Sequence, residues 1–279
     1  MAKSSKRIEP QETNVSRQTE IRVLISVMLM SFAAYVSVTG MIDWYRDRPP
    51  TIEEAFPTGT MVVGVDGTFT PFAVDNGQEM YGIDIDLANE LAERMELDVR
   101  FVNMGFDGLY DALIDGQVDV VISALLINSA RTRDVRYTLP YFNNGLVLVT
   151  ENEALDSMQD LPGTSLALEY GSSAHSEANF RLQQLEAFEL MPYELPRYAL
   201  DSVRLNEADS ALVDNTTYLL YQSEYPDWEN QSNRITNAHY AIAARYDREA
   251  AWVWLNAVLA GIKRDGTMQT IIDRWFSNS

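Results

Sequence analysis

The chain has 279 residues, 46% of them hydrophobic, which is enough for one large α/β unit or for two lobes with separate cores. It contains no cysteine and only two histidines, His175 and His239, so disulfides, thiolate catalysis and cysteine-ligated metal sites are excluded. The formal net charge is −20, and so acidic a protein lacks the electrostatic attraction that nucleic-acid binding requires. We therefore expect no metal, no cofactor and no nucleic-acid partner.

The N-terminal region carries a membrane signal. Residues 1–22 are polar and contain five basic side chains, and residues 23–42 form an uncharged apolar stretch. Twenty residues in a helix rise about 30 Å, the thickness of one hydrocarbon core. Only Arg46 and Arg48 follow closely, and this bias predicts a cytoplasmic N-terminus and an exported body.

Two interpretations of the apolar stretch stay open. It is either a retained transmembrane anchor or a secretory signal peptide that is cut after the small residues Val38 and Gly40. The long polar region ahead of it and its own length favour the anchor. A lipoprotein is excluded because there is no cysteine to acylate. Residues 43–57, with Pro49 and Pro50, are predicted to form a tether.

From Thr60 onward, short apolar runs alternate with amphipathic segments. MVVGV and DVRFV have the pattern of strands, and GIDIDLANELAERM between them has helical spacing, so this part predicts a βαβ unit. FDGLYDALIDGQ indicates a helix closed by Gly116, and VDVVISALL indicates a buried parallel strand. The predicted class is α/β.

A second unit repeats this rhythm. GLVLV and SLALEYG have strand patterns, a helix is predicted from about Ser173 to Leu185, and ADSALVD leads into NTTYLLYQ. The C-terminal region adds the strand AIAARYD and two amphipathic helices separated near Gly266. Two α/β lobes of similar size are implied.

Four segments, in this order, resemble the bacterial extracellular solute-binding proteins of family 3, the polar amino-acid group within the type II periplasmic binding fold. The resemblance covers about 220 residues. The segments are VGVDGTFTPFAV with YGIDIDLANELAERM; FDGLYDALIDGQVDVVISALLINSARTRDVRYTLPYF; LALEYGSSA; and IKRDGTMQTIIDRWF.

The resemblance implies two α/β lobes that are joined by two hinge strands and close around a ligand. Mapped onto this chain, lobe one is residues 58–146 plus 240–279, and lobe two is residues 147–239. GLVLVT and HYAIAA would be the crossings between them. In such a closure a few residues at the ends of elements absorb the motion.

An α-amino acid needs a cation for its carboxylate and an acceptor for its ammonium group. Arg131 lies where the family keeps the arginine that binds the ligand carboxylate, and Asp214 matches the acidic residue that receives the ammonium. Ser172 and Ser173, after Gly171, are expected to add N–H donors at a helix start. The alternative for Arg131 is a surface ion pair, and the alternative for Asp214 is a helix N-cap. For the two serines it is a serine-capped turn.

Phe69 and Phe106 fall where family members place aromatic rings across the ligand side chain, with core packing as the alternative. The backbone groups of Ser123, Ala124 and Leu126 are expected to face the ligand. Leu126 departs from the family pattern, because a hydroxyl residue is usual there. One expected side-chain donor to the ligand carboxylate is therefore missing.

Glu169 occupies a position that in some relatives touches the far end of the ligand. Together with the acidic body, it favours a cationic or donor-bearing ligand such as arginine, lysine or glutamine.

The resemblance implies a monomeric periplasmic component of an ABC-type uptake system, with a small amino-acid-like ligand, an ABC permease as partner and a membrane contact through the N-terminal helix. One alternative is an anchored sensory or scaffold module, although no output domain is expected after Phe276. Another is a cleft that binds nothing. A third is an enzyme similar to cyclohexadienyl dehydratase, with Glu169 or Asp214 as general acid. The sequence carries no independent catalytic motif, so no enzyme activity is expected.

Overall fold

The computed structural model describes residues 13–277, with the side chains of residues 22–41 and 48–277. The chain divides after Pro50 into two units. The first contains α1 (Thr13–Asp47), in which Arg22–Met41 is 20 residues long with a mean hydropathy of 1.9. By length and composition this segment can cross a membrane, as a signal sequence also could. Residues 1–12 of the predicted cytoplasmic segment lie outside the described residues.

The second unit alternates short strands and helices. Its first half contains α2 (Ile52–Ala55), β1 (Thr60–Val65), β2 (Thr68–Phe69), β3 (Ala73–Asp75), β4 (Met80–Tyr81), α3 (Ile83–Arg94), β5 (Asp98–Asn103), α4 (Leu109–Ile114), β6 (Val120–Val121) and β7 (Val135–Asn143). Its second half contains β8 (Leu146–Thr150), β9 (Ser165–Glu169), α5 (Ser173–Leu182), β10 (Glu189–Tyr193), α6 (Pro196–Arg204), β11 (Ser210–Asp214), α7 (Asn215–Glu224), β12 (Gln231–Arg234), β13 (His239–Arg245), α8 (Glu249–Arg264) and α9 (Thr267–Phe276). Three short 3-10 helices lie at Phe106–Gly108, Ser129–Arg131 and Met158–Asp160.

Lobe one is built on the sheet β5-β1-β6-β13-β7. Strand β1 pairs in parallel with β5 and β6, and β13 runs antiparallel to β6 and β7. Helices α3, α8 and α9 bury apolar side chains such as Leu87 and Leu255 on one face of the sheet, and α4 buries Leu109 and Leu113 on the other. Because both faces are covered, the central strands are apolar along their whole length.

Lobe two is built on the sheet β10-β9-β11-β8-β12. Strand β9 pairs in parallel with β10 and β11, while β8 runs antiparallel to β11 and β12. Helix α5 packs on one face, and α6 and α7 pack on the other. The two-lobed α/β fold is as expected from the sequence, and the residue boundaries of the lobes stay a prediction.

Three local features differ from the sequence-based expectations. Within VDVVISALL only β6 pairs as a strand, because Ala124 has a positive φ of 43° and turns the chain away from the sheet. The segments GLVLVT and HYAIAA form β8 and β13 inside the lobe sheets, so the passages between lobes precede them, near residues 143–146 and 234–239.

The third difference concerns the predicted tether at residues 43–57. Its second half forms α2, whose N-terminus carries a capping box from Thr51 and Glu54. Ala55 and Phe56 are fully or almost fully buried in the lobe-one core. These residues therefore belong to the folded body rather than to a tether.

The two passages between the lobes are in direct contact. The Asn144 N–H donates to the Ala238 carbonyl at 2.8 Å, and the Leu146 N–H donates to the Thr236 hydroxyl at 2.9 Å. A Cβ added at Gly145 would lie 1.9 Å from the Thr236 carbonyl oxygen, so only glycine fits there. The two passages therefore act as one packed hinge.

We predict that Gly145→Ala lowers the free energy of unfolding by more than about 2 kcal/mol, because backbone must move to remove the clash. Urea unfolding of the full-length chain measures this. Gly105→Ala is the control, because no atom lies within 4 Å of the added Cβ, and we expect a change within about 0.5 kcal/mol. Equal effects of the two changes would show that the hinge has room to adapt.

Candidate ligand-binding site

A cavity of about 350 Å³ opens at the carboxyl ends of β1 and β6 in lobe one, the edge where open α/β sheets bind ligands. Its lining combines aromatic rings with small and polar residues: Asp66, Thr68, Phe69, Phe106, Ser123, Ala124, Leu126 and Tyr240. The structure thus brings together five of the ten residues that the sequence predicts to bind ligand.

Asp66 organises the walls of this cavity. Its N–H donates to the Ser123 hydroxyl at 2.9 Å, which joins the ends of β1 and β6. One carboxylate oxygen accepts from the Thr68 N–H at 3.1 Å and from its hydroxyl at 2.7 Å, and the other accepts from the Phe106 N–H at 3.0 Å. A single residue therefore joins three segments of the cavity wall, one through its backbone and two through its carboxylate.

Two of the three aromatic residues that line the cavity are partly exposed. Phe69 and Phe106 are 43% and 46% exposed, whereas Phe72 behind them is fully buried. Phe69 stacks on Phe72 with ring centres 5.4 Å apart, and Tyr240 meets Phe72 edge-on at 5.2 Å. Phe72 thus anchors the exposed ring of Phe69 and the largely buried ring of Tyr240 at the cavity.

The Ala124 N–H is engaged inside the protein. It donates to the Asp84 carboxylate at 2.8 Å and lies 3.0 Å from the Tyr141 hydroxyl oxygen. The Tyr141 hydroxyl donates to the other Asp84 oxygen at 2.6 Å. The expected donation from the Ala124 N–H to a ligand therefore does not fit this structure, because buried Asp84 needs that donor.

Burial governs the ionisation of this pair. Asp84 is 1% exposed, and loss of hydration raises the pKa of its carboxyl from 3.8 to about 7, against the opposing effect of the two hydrogen bonds. Burial and the neighbouring Asp84 charge raise the pKa of the Tyr141 hydroxyl well above its ordinary value. A proton on Asp84 is therefore stabilised by folding.

Leu126 lies at the open side of the cavity. It is 50% exposed, and its backbone forms an isolated antiparallel bridge with Tyr240. In place of the hydroxyl that the resemblance led us to expect, this chain presents an apolar side chain to the cavity.

Arg131 is the last residue of the 3-10 helix Ser129–Arg131, whose start is capped by the Asn128 side chain. Its guanidinium carbon lies 4.9 Å from the centre of the Tyr110 ring, within cation–π range. Among the described residues Arg131 forms no ion pair, so a surface ion pair does not account for it. It is not part of the cavity lining itself.

The lobe-two candidates around α5 form a serine-capped turn. The Ser172 hydroxyl accepts from the His175 N–H at 3.2 Å and donates to the Glu169 carbonyl at 2.8 Å, and Ser173 begins the helix. The Gly171 N–H donates to His175 Nδ1 at 2.9 Å. The Ser172 N–H, one of the groups expected to bind an anion, also donates within the turn, to the Glu169 carbonyl at 3.4 Å.

Asp214 ends β11 and is the N-cap of α7. Its carboxylate accepts from the Thr217 N–H at 3.0 Å and from the Thr217 hydroxyl at 2.6 Å. Both contacts of Asp214 are thus those of a helix N-cap. Its carboxylate is half-buried and accepts two hydrogen bonds, so it keeps lone pairs for a further donor.

Sequence reasoning missed three residues that line the cavity, Asp66, Thr68 and Tyr240. Asp66 follows an apolar strand directly, the same signal that singled out Asp214, and could have been found by it. Tyr240 is distant in sequence and carried no such signal. Over the described residues, no group of three histidine, aspartate or glutamate side chains is placed to hold a metal ion.

A model of the bacterial extracellular solute-binding proteins, family 3, matches residues 61–278. The chain belongs to this family. Its members are solute-binding proteins, which agrees with the cavity at the ends of β1 and β6.

Individual relatives agree with the family assignment. The ABC transporter arginine-binding protein 1 of Escherichia coli (strain K12) is 29% identical over 219 residues, which is 76% of this chain and 89% of that protein. A solved ancestral cationic amino acid solute binding protein is 27% identical with a TM-score of 0.60, covering 80% of this chain and 98% of its own. The L-cystine solute receptor of Neisseria gonorrhoeae, solved unliganded and open, shares the fold at 23% identity and a TM-score of 0.71, covering 81% of this chain and 95% of its own.

The raised pKa of Asp84 generates a prediction for stability against pH. The folded state holds a proton up to about pH 7, and the unfolded state releases it near 3.8, so this contribution is complete below 3.8 and is lost as pH rises to 7. Asparagine does not titrate, so Asp84→Asn loses no stability through this proton as the pH rises. We therefore expect the unfolding free energy of Asp84→Asn minus that of the wild type to increase between pH 4 and 7, at up to about 1.4 kcal/mol per pH unit, and then to level off, whichever protein is the more stable at pH 4.

Thermal or urea unfolding from pH 4 to pH 8 measures this difference. Asp111→Asn, which removes an exposed carboxylate from α4, is the matched control. Parallel curves for wild type and Asp84→Asn would contradict a proton held by the buried carboxyl.

Proposed function

We propose that this protein is the periplasmic solute-binding component of an ABC-type uptake system and that its two lobes clamp a small amino-acid-like ligand. The observation that carries the proposal is the lobe-one cavity, in which aromatic rings and the Asp66 carboxylate line the carboxyl ends of β1 and β6. A site of about 350 Å³ with a few polar groups suits a small solute.

Each part of an amino-acid ligand has a candidate partner. We propose that Arg131 binds the carboxylate with Ser172 and Ser173, and that Asp214 receives the ammonium group. The side chain would lie between Phe69 and Phe106, with Ser123, Ala124 and Leu126 along the cavity floor. Leu126 cannot donate a hydrogen bond, so the carboxylate grip relies more heavily on Arg131 than in relatives with a hydroxyl there.

The ligand class follows from the charges near the cavity. Asp66 lines it, and Glu169 ends β9 in lobe two, where it would meet the far end of the ligand. Neither carboxylate forms an ion pair among the described residues, so each supports a cationic partner. Relatives named as arginine-binding make arginine the first ligand to test.

In the proposed cycle, a monomer captures its ligand in the open form, closes, and docks on an ABC permease. Closure adds lobe-two contacts to a ligand already held by lobe one, so affinity follows the stability of the closed form relative to the open form. No cofactor takes part.

A dehydratase-like role is not favoured. A general acid needs a raised pKa and access to the substrate. The carboxyl with a pKa near 7 is Asp84, which is buried, does not line the cavity and has both oxygens engaged by Tyr141 and Ala124.

We predict that L-arginine raises the melting temperature of the full-length chain in detergent, because a ligand that binds only the folded form stabilises it. Arg131→Ala removes a charge-assisted contact worth about 1.5 to 3 kcal/mol, so the affinity should fall roughly ten- to a hundredfold. Asp214→Asn keeps a good N-cap for α7 but removes the charge, and it should also weaken binding. Calorimetric titration gives both dissociation constants.

Arg133→Ala removes an equally exposed arginine two residues away and should bind like the wild type. Wild-type affinity in Asp214→Asn would leave that residue as a helix cap only. If L-glutamate binds as tightly as L-arginine, the proposed roles of Asp66 and Glu169 are wrong. If none of the twenty amino acids binds, the result would favour the sensory or scaffold alternative.

We propose further that the apolar helix is retained as an inner-membrane anchor. A C-terminally tagged chain expressed in a Gram-negative host should then appear in the membrane fraction with the mass of all 279 residues. A shorter, soluble periplasmic product that begins after Val38 or Gly40 would establish the signal peptide instead. Val38→Leu removes a small residue from the cleavage region. If the chain is cleaved, this change should reduce the amount of the shorter product, and if the chain is anchored, it should leave the full-length product unchanged.

A further inference from the structure

Tyr240 belongs both to the cavity and to the hinge. It is the second residue of β13, its side chain lines the lobe-one cavity, and it is 6% exposed. Its ring packs against Phe72 and Phe142, with centres 5.2 and 5.9 Å away. Its hydroxyl accepts a hydrogen bond of 2.9 Å from Asn144 Nδ2. A ligand against this ring therefore touches a residue that is bonded to the hinge.

Asn144 is the residue that leaves β7 on the way to lobe two. Its backbone N–H donates to the Ala238 carbonyl in the other passage. On the side chain, Nδ2 bonds Tyr240 in lobe one, while Oδ1 accepts from the Thr216 N–H at 2.8 Å and from the Thr216 hydroxyl at 2.7 Å in lobe two. The side chain of Asn144 thus bonds to both lobes, and its backbone N–H bonds to the other passage.

Thr216 lies in the first turn of α7, two residues after Asp214. Helix α7 belongs to lobe two, yet its side chains Leu219 and Leu220 pack against the lobe-one core. The first turn of α7 therefore carries a candidate ligand contact, and it is held to lobe one by Asn144 and by apolar packing. A rotation of the lobes must either move this turn with Asn144 or break the hydrogen bonds of the Asn144 side chain.

We infer that Asn144 is a positioning residue that couples the lobe-one cavity to the first turn of α7 through the chain Tyr240–Asn144–Thr216. It sets the relative orientation of the lobes, and hence ligand affinity, without touching the ligand. The affinity part of this inference rests on the proposed function, whereas the orientation part does not. Coupling through a shared bonding partner makes the two ends of the chain non-additive, because each hydrogen bond of the Asn144 amide helps to hold the amide in the orientation that the other needs.

The test is a double-mutant cycle on the full-length chain with Tyr240→Phe and Thr216→Val. Both changes keep the shape of the side chain and remove one hydroxyl. Because the chain has no cysteine, Glu93→Cys in α3 and Gln184→Cys after α5 allow one spin label on each lobe. Pulsed electron paramagnetic resonance then gives the distribution of distances between the lobes in the ligand-free protein.

We expect each single change to broaden this distribution and the double change to broaden it no further. Tyr218→Phe and Thr270→Val are the matched controls, because their hydroxyls bond Asn230 and Gly266 within a single lobe, and both should keep the wild-type distribution. Unchanged distributions in Tyr240→Phe and Thr216→Val, or broadening that adds up in the double variant, would overturn the inference.

Calorimetry with L-arginine gives the second readout. If the wild type binds, its dissociation constant should rise about three- to tenfold in each single variant, the size of one neutral hydrogen bond, and no further in the double variant. Wild-type affinity in both single variants would also overturn the inference. If the wild type binds no amino acid, the proposed function fails, and the label distances alone decide whether Asn144 couples the lobes.

Discussion

Asp84 is buried without an ion pair among the described residues, and a buried carboxylate must have its oxygens satisfied by hydrogen bonds. It takes the Ala124 N–H, and this bond holds Ala124 at positive φ, ends β6 after two residues and points the Ser123 hydroxyl at the Asp66 N–H. The Asp66 carboxylate in turn accepts hydrogen bonds from the Thr68 and Phe106 N–H groups. The cavity walls therefore depend on one buried carboxyl group beneath them, which explains how a site made of loops can keep its shape.

The hinge is constrained in a different way, by contact between backbones. Gly145 lies so close to the Thr236 carbonyl that no side chain fits between the two passages. Arg234 adds a guanidinium that donates to the Gly145 carbonyl at 3.4 Å, and burial lowers its pKa without removing its charge. The two passages thus form a single packed strip between the lobes, and the Asn144 side chain bonds to a residue of each lobe from it.

Much of this architecture could be predicted from the sequence, because both lobes repeat apolar strands and amphipathic helices, and Gly266 separates α8 from α9 in the left-handed conformation that favours glycine. The small sheet β2-β3-β4 could not, since strands of two or three residues carry no periodicity. At the site, Phe69 and Phe106 could be predicted from the resemblance. Tyr240 could not, because it reaches the cavity from a strand about 170 residues after Asp66, and only tertiary pairing brings them together.

The cavity lining comes entirely from lobe one, while Ser172, Ser173 and Asp214 lie on lobe two. In the proposed binding cycle, this division separates the step that captures the ligand from the step that releases it. Encounter requires only a preformed pocket on one lobe, so the association rate is insensitive to changes in lobe two. Residence time is set by the closed form, so those changes appear in the dissociation rate. A protein built this way can be retuned for slow or fast release, and so for delivery, while it keeps the same rate of capture.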